Sequence, residues 1–246
     1  MHARVFTDRA PINSPTVVLV HGLGVSSRYM IPTAVRLAPH ARIFAPDLPG
    51  FGKSAKPARS LNVQQLSDSL SAWMQAAGIE RALFIANSFG CQVVVDLALR
   101  HPARVEQAVL IAPTIDPKRR TVRSQFWRFV RNIPREPLSL VAIALGDYLT
   151  AGIWRGLRTL RYALQDRLEE KLPLVRVPTL IVCGERDPIV PREWAEEAAR
   201  LLPLGDLHII PGAAHAVNYN SPEELVRIVL PFLFEGVPAR TQKSPK

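Results

Sequence analysis

The stretch IANSFGC, residues 85–91, places the polar pair Asn87-Ser88 between two apolar segments. The segment before the pair is a short apolar run typical of a strand, and the segment after it has the period of a helix. A serine at such a junction either caps the helix or serves as an activated nucleophile. The usual nucleophile pattern, G-x-S-x-G, is incomplete because position 86 is alanine. The rest of the chain must decide between the two interpretations.

Short apolar runs alternate with longer segments of helical period, which predicts an α/β fold with a mostly parallel sheet flanked by helices. Most of the runs are continuous and rich in leucine or β-branched residues, as in strands covered on both faces. The predicted strands are 16–21, 41–46, 82–87, 107–113, 179–184 and 207–212, and the predicted helices lie near 28–38, 62–77, 89–100, 192–202 and 221–234.

The length of 246 residues and the hydrophobic content of 48% are enough for one substantial core, so we predict a single domain over 1–246. The interval from about 114 to 176 has helical pattern but no strand pattern, and it is far longer than an ordinary connection. It predicts a helical cap insertion over the sheet. Its aromatic residues Trp127, Trp154 and Tyr162 are expected in the core of the cap. The polar tail 236–246 is expected to be disordered.

The chain carries 31 Lys+Arg against 21 Asp+Glu, a formal charge of +10, so binding to nucleic acid or an anionic surface must be considered. Part of the excess lies in 118–135, where seven basic residues alternate with apolar ones such as Phe126 and Phe129. That pattern indicates a helix with a solvated basic face. Because no nucleic-acid-binding motif is present, we expect a small-molecule substrate and no nucleic acid partner. The oligomeric state stays open.

Two cysteines, Cys91 and Cys183, lie in apolar segments without metal-ligand spacing, and we expect two buried free thiols. The first fifteen residues contain no apolar core of signal-peptide length. The most apolar internal run, 138–145, is too short to span a bilayer. We therefore expect a cytoplasmic protein without a membrane span.

Polar residues follow the ends of four predicted strands. In a parallel sheet these ends share one edge, where ligands bind. The loops concerned are HGLG (21–24), NSFG (87–90), GERDPIVP (184–191) and GAAHAVNY (212–219). They bring Ser88, Asp187 and His215 to that edge in chain order. A serine hydroxyl needs a base to take its proton during attack, an imidazole is suited to this role, and a carboxylate can orient the imidazole.

These motifs together resemble the α/β-hydrolase fold family. HGLG is similar to the oxyanion loop of that family, DLPGFGKS (47–54) to its strand-four turn and ANSFG (86–90) to its nucleophile elbow. GERDPIVP resembles its acid loop and GAAHAVNYNSPEEL (212–225) its histidine loop. The resemblance covers nearly the whole chain. Two departures are Ala86 in place of glycine and a short N-terminal region, which implies shortened or missing first strands.

The resemblance implies a role for each matching position. Ser88 is expected to be the nucleophile, His215 the base and Asp187 its orienting acid. The backbone N–H groups of Leu23 and Phe89 are expected to form the oxyanion hole. No metal and no organic cofactor is implied.

Other residues compete for some of these roles. Asp116 follows the strand 107–113, where some members of the family place their acid, and Glu185 is a more remote candidate. His21 and Asp47 are expected to brace turns by hydrogen bonding. Asn87 could serve either the turn or a polar wall of the pocket.

A serine, histidine and aspartate beside an oxyanion hole predict acyl transfer to water through an acyl-enzyme. We expect a carboxylesterase acting on a small, mainly apolar ester. The alternative enzyme is a carbon–carbon bond hydrolase of meta-cleavage products, vinylogous 1,5-diketones, for which Asn87-Ser88 and the cap arginines argue. Against it, Ala216 stands where such enzymes commonly carry tryptophan. A non-catalytic ligand-binding relative of the family is the alternative from another class.

Overall fold

A computed structural model describes residues 1–235. Its centre is a seven-stranded sheet in the order β1-β3-β2-β4-β5-β6-β7. The strands are β1 (Ala3–Phe6), β2 (Thr16–Val20), β3 (Arg42–Pro46), β4 (Ala82–Asn87), β5 (Val105–Ile111), β6 (Thr179–Gly184) and β7 (Gly205–Ile210). Strand β1 pairs antiparallel with β3, and all other neighbours in this sheet are parallel.

Ten α-helices flank or cover the described sheet. They are α1 (Ile31–Leu37), α2 (Val63–Ala76), α3 (Phe89–Arg100), α4 (Val122–Asn132), α5 (Leu138–Ala151), α6 (Ile153–Gln165), α7 (Leu168–Lys171), α8 (Arg192–Leu201), α9 (Val217–Asn220) and α10 (Pro222–Glu235). Helix α2 packs beside α3, α1 packs beside α10, and α8 packs on β6 and β7. The predicted class, an α/β fold with a mostly parallel sheet flanked by helices, is confirmed.

The six predicted strands correspond to β2–β7, with shifts of one or two residues at their ends. Strand β1 was not predicted, because its four residues form no apolar run and only one sheet neighbour supports it. Between β5 and β6 the chain forms four helices, α4–α7, and no strand. The tail 236–246, which the sequence predicts to be disordered, lies outside the described residues.

The core is continuous around the central strands. Every residue of β4 is buried, and β4 pairs with β2 on one side and β5 on the other. Both cysteines are free and buried, as the sequence predicted, and burial raises the pKa of each thiol well above its ordinary value.

The prediction that the cap aromatics form a core is wrong for two of them. Trp127 is 56% exposed and Trp154 is 79% exposed, whereas Tyr162 is partly buried. Helices α4 and α6 each bury one face, and the two tryptophans lie on the other. Apolar periodicity cannot tell which face a neighbouring layer covers when both faces carry apolar residues.

Within residues 1–235, no single helix is long and apolar enough to cross a bilayer. Helices α5 and α6 together reach the length and apolar composition of a membrane span, but the chain bends by 98° between them.

Candidate active site

Ser88 lies at the turn between β4 and α3. Its backbone angles are φ 56° and ψ −120°, in a region that favours glycine and that a sharp strand-to-helix turn requires. The side chain makes no capping hydrogen bond to α3, although Ser88 occupies the cap position. The helix-cap interpretation therefore fails, and the hydroxyl is left for other chemistry.

Small residues surround this turn because backbone passes close to it. A Cβ atom at Gly90 would lie 2.7 Å from the carbonyl oxygens of both Val20 and His21. A Cβ atom at Gly22 would lie 3.3 Å from the Cβ of Ser88, so the HGLG loop packs directly against the turn. Ala86, in place of the usual glycine, is completely buried in β4. The fold thus accommodates the extra methyl group.

His215 and Asp187 meet although they come from different loops. The Nδ1 atom of His215 lies 2.7 Å from Oδ2 of Asp187. The other carboxylate oxygen accepts hydrogen bonds from the backbone N–H groups of Ile189, at 2.7 Å, and Val190, at 3.0 Å. An ionised carboxylate only accepts, so Nδ1 carries the proton and Nε2 is the free acceptor of the neutral ring. Nε2 has no hydrogen-bond partner within residues 1–235.

The pKa of His215 is raised above its ordinary value of 6.5. Burial acts to lower this pKa, but the negative charge of Asp187, its hydrogen bond and the charge of Glu136 outweigh burial. The site thus stabilises an imidazolium, the state that a histidine reaches after it accepts a proton.

The two competing acids do not reach His215. Asp116 accepts from the backbone N–H of Lys118 at 2.9 Å and pairs with the Arg128 guanidinium at 2.9 Å. Glu185 is exposed and accepts from the backbone N–H of Gly212 at 2.8 Å. Of the three acids, only Asp187 hydrogen-bonds to the histidine.

Two residues brace the HGLG loop and the turns beside it, as the sequence predicted. His21 accepts from the backbone N–H of Leu48 at Nε2, at 2.9 Å, and its Nδ1 donates to the Gly22 carbonyl, at 2.8 Å. Asp47 accepts from the N–H groups of Ser27 at 2.7 Å and Lys53 at 2.9 Å. Both residues brace turns and take no direct part in the site.

A buried tyrosine, which the sequence did not single out, links three of the loops. The Tyr29 hydroxyl accepts from the Gly22 N–H at 2.9 Å and donates to Oδ1 of Asn87 at 2.6 Å. The Asn87 amide in turn donates to the His215 carbonyl at 3.3 Å. Asn87 therefore points into the protein and ties loops together, and it is not a wall of the pocket.

The backbone N–H groups of Leu23 and Phe89, predicted as oxyanion-hole donors, have no protein acceptor within residues 1–235. Phe89 opens helix α3, so its N–H belongs to the first turn, where helical N–H groups lack an intrahelical partner. Leu23 lies in the loop that packs on Ser88 through Gly22. Both donors are available to an oxygen atom of a ligand.

Helix α5 reaches the same loop from above. The Tyr148 hydroxyl donates to the Leu23 carbonyl at 3.1 Å, and burial raises the pKa of Tyr148 to about 12, so this donor stays protonated. A Cβ atom at Gly24, where φ is 79°, would lie 2.1 Å from the Tyr148 ring. The neighbouring Asp147 accepts from Ser26 N at 2.9 Å and Ser26 Oγ at 2.7 Å.

The other end of α5 contacts the histidine loop. Glu136, two residues before the helix, accepts from the Ala216 N–H at 2.9 Å and from the Asn220 amide at 2.8 Å. Helix α5 is thus anchored beside His215 at one end and beside Leu23 at the other. No sequence motif marks these anchors, because their partners lie about 80 to 120 positions away.

No group of three or more metal-ligating side chains comes together in the part of the chain that the structure describes.

Residues 17–228 match the model of the alpha/beta hydrolase family. The "Putative carbamate hydrolase RutD" of Yersinia enterocolitica is 29% identical, and the alignment covers 90% of this chain and 89% of that protein. The structure of an esterase from Thermogutta terrifontis superimposes on this one with a TM-score of 0.79 at 20% sequence identity. The superposition covers 96% of this chain and 99% of the esterase chain. The structure of a meta-cleavage product hydrolase from Pseudomonas fluorescens superimposes with a TM-score of 0.73 at 23% sequence identity. That superposition covers 95% of this chain and 93% of the hydrolase chain. Because the family model matches most of this chain, the chain belongs to the α/β-hydrolase family.

Proposed function

We propose that this protein is a serine hydrolase that works through an acyl-enzyme, with Ser88 as nucleophile, His215 as base and Asp187 as the orienting acid. The observation that carries the proposal is the 2.7 Å contact between His215 and Asp187, which leaves Nε2 as a free acceptor. Support comes from the turn at Ser88, whose hydroxyl does not cap its helix.

In the first half of the proposed reaction, Oγ of Ser88 attacks the substrate carbonyl and its proton passes to Nε2 of His215. The N–H groups of Leu23 and Phe89 donate to the oxyanion, and each such donor is typically worth ~10²–10³ in rate. The histidine then gives its proton to the leaving alkoxide, and the alcohol departs from an acyl-serine. In the second half, water attacks the acyl-serine, His215 takes the water proton and returns it to Ser88, and the free acid leaves.

We propose a small, mainly apolar ester as the substrate. The covered side of α5, a helix anchored at both ends beside the site, carries Leu140, Ile143 and Ala144, and we expect this apolar surface to suit an apolar acyl or alcohol group. The alternative of an acidic meta-cleavage product is less well supported, because the half-buried Arg128 of the cap is paired with Asp116. The cap arginines that form no salt bridge within residues 1–235 are exposed to solvent, apart from the half-buried Arg155, which donates to the Pro57 carbonyl. Asn87, the other argument for that alternative, is engaged with Tyr29 and His215.

A carbamate is the second candidate substrate. The observation in its favour is the 29% identity over 90% of this chain to a protein named as a carbamate hydrolase. A carbamate carbonyl would pass through the same tetrahedral oxyanion, so the same proposed residues would serve.

The catalytic proposal is tested with p-nitrophenyl butyrate and with a fluorophosphonate probe, which labels activated serines. We expect the wild-type protein to turn over the ester and to be labelled. Ser88→Ala should lose labelling and lower kcat by about 10⁴- to 10⁶-fold. Ser69→Ala, on the surface of α2, is the matched control and should keep both. A wild-type protein inert in both assays would favour a ligand-binding role.

The substrate class is tested by comparing kcat/KM for the butyrate ester, an N-alkyl carbamate of the same alcohol and a ring-cleavage dienoate. We expect the ester to have the highest value. A clear preference for the carbamate would select the second candidate, and a clear preference for the dienoate would overturn the proposed substrate class.

A further inference from the structure

The cap helices expose an unusual amount of apolar surface. Within residues 1–235, eighteen large hydrophobic residues are exposed, and eleven of them lie between 122 and 157. They are Val122, Phe126, Trp127, Phe129, Ile133, Leu138, Leu145, Leu149, Ile153, Trp154 and Leu157. On α4 and α5 they recur at intervals of three, four or seven residues, so each helix carries an apolar stripe on its exposed side. Phe129 also packs edge-on against the ring of Tyr148, which lies against the HGLG loop. We therefore call the other ten residues the outer face of the cap.

Basic side chains border the outer face of the cap. Between 118 and 161, seven basic residues are exposed: Lys118, Arg119, Arg123, Arg131, Arg135, Arg158 and Arg161. None forms a salt bridge with any residue in 1–235. The only acids between 117 and 165 are Glu136 and Asp147, and both are bound to the loops of the candidate active site. The outer face therefore combines apolar surface with charge of one sign.

The charge decides among the possible occupants. A second copy docking through the same face would bring two sets of unpaired arginines together, which costs free energy. Nucleic acid would satisfy the arginines, but it would not remove Leu138, Leu145 and Leu149 from water. A bilayer with anionic lipids matches both features, because its phosphates attract the basic residues while its acyl boundary accepts leucine and tryptophan side chains.

We propose that the outer face of the cap docks on the surface of an anionic lipid bilayer. The helices would lie in the interface and not across it. The exposed aromatic residues Phe126, Trp127 and Trp154 support this placement, because aromatic rings are favoured at the level of the headgroups. The proposal does not depend on the proposed hydrolase activity, since it concerns only where the protein binds.

A cavity at the junction of α5 and α6 offers a place for a headgroup. Its volume is about 240 Å³, and Ile153 and Trp154 of the outer face line it together with Ser60, Arg155 and Arg158. The Nε atom of Arg155 is buried and has no hydrogen-bond partner within residues 1–235. The Nη2 atom of Arg155 donates to the Pro57 carbonyl at 2.8 Å, so the exposed guanidinium of Arg158 and the Ser60 hydroxyl are the donors that suit the oxygens of a lipid phosphate.

The proposal is tested by co-sedimentation with two kinds of vesicle, one of phosphatidylcholine alone and one with a third of the lipid replaced by phosphatidylglycerol. We expect binding to the anionic vesicles, weakened by added salt. The fluorescence of Trp127 and Trp154 should shift to the blue as they leave water. Trp194 is buried, and the partly buried Trp73 of α2 packs against Phe44, away from the outer face, so neither should contribute to the shift.

Two variants make the test specific. Leu145→Glu together with Leu149→Glu should lower the vesicle partition coefficient by about ten-fold or more, because two leucines no longer enter the interface. Arg158→Glu should weaken binding to the anionic vesicles. Ile12→Glu, at a residue 93% exposed outside this face, is the matched control and should bind like the wild type.

Four results would overturn the proposal. They are equal binding to both kinds of vesicle, no binding to either, unchanged binding of the double leucine variant, and a dimer that this variant dissociates. The last would assign the outer face to a second copy of the chain. Retention on DNA that the leucine variant leaves unchanged, without vesicle binding, would assign the basic residues to nucleic acid.

Discussion

At the scale of single residues, hydrogen bonding distinguishes Asp187 from Asp116, the two candidates for the acid that orients His215. Asp187 uses one carboxylate oxygen for two backbone N–H groups and the other for His215. Asp116 uses its two oxygens for Lys118 N and the Arg128 guanidinium. A carboxylate already fixed by backbone donors holds the imidazole in one orientation, so Asp187 is the better candidate for the acid of the proposed triad.

Conservative substitution of the two acids tests this assignment. Asp187→Asn should lower kcat by about 10⁴-fold, because the amide favours the wrong histidine tautomer. Asp116→Asn should leave kcat almost unchanged and lower the free energy of unfolding by about 1–3 kcal/mol, since it weakens the bond to Arg128. The measurements are ester turnover and urea unfolding of each variant. The reverse pattern of activity would make Asp116 the acid.

At the scale of elements, the junction of β4 and α3 depends on a backbone approach that only glycine allows. Gly90 lies in the first turn of α3, where a Cβ atom would meet the carbonyl oxygens of Val20 and His21 at 2.7 Å. The other small position of the motif, Ala86, is buried without disrupting β4. Position 86 therefore tolerates a methyl group, whereas position 90, two residues after Ser88, does not.

Two glycine-to-alanine changes within helices test this requirement. Gly90→Ala should lower the free energy of unfolding by about 1–3 kcal/mol, because the added methyl group displaces backbone. Gly146→Ala in α5 is the matched control, since its Cβ would meet nothing within 4 Å. It should raise the free energy of unfolding by about 0.5–1 kcal/mol. Both values come from urea unfolding, and equal effects would contradict the close approach at Gly90.

At the scale of the whole molecule, contacts between distant segments hold α5 over the candidate active site. Glu136 binds the residue after His215, and Tyr148 binds the carbonyl of Leu23. The same Glu136 contributes negative charge that raises the pKa of His215. The segment that carries α5 is therefore coupled electrostatically to the proposed base as well as packed beside its loop.

Glu136→Gln tests this coupling through the pH dependence of kcat/KM. The proposed base works as the neutral imidazole, so activity falls as the pH drops through the raised pKa of His215. Removing the Glu136 charge lowers this pKa, and the acid limb should move to lower pH. Glutamine can still accept from Ala216 N, so the plateau should change little. Glu193→Gln, on the exposed side of α8, is the control, and an unmoved limb in Glu136→Gln would contradict the coupling.

The sequence by itself determined the α/β class, the six strands β2–β7 and the bracing roles of His21 and Asp47, and it supplied a short list of candidate site residues. These follow from periodicity and from polar residues at strand ends, which are local properties of the chain.

Only the tertiary structure decided that Asp187 contacts His215, that Asn87 points inward through Tyr29, and that Trp127 and Trp154 face outward. It also supplied the anchors of α5 at Glu136, Asp147 and Tyr148. Each of these depends on which distant surface covers a given side chain. Local pattern carries no information about contacts between segments that lie a hundred residues apart, because packing alone selects the partner.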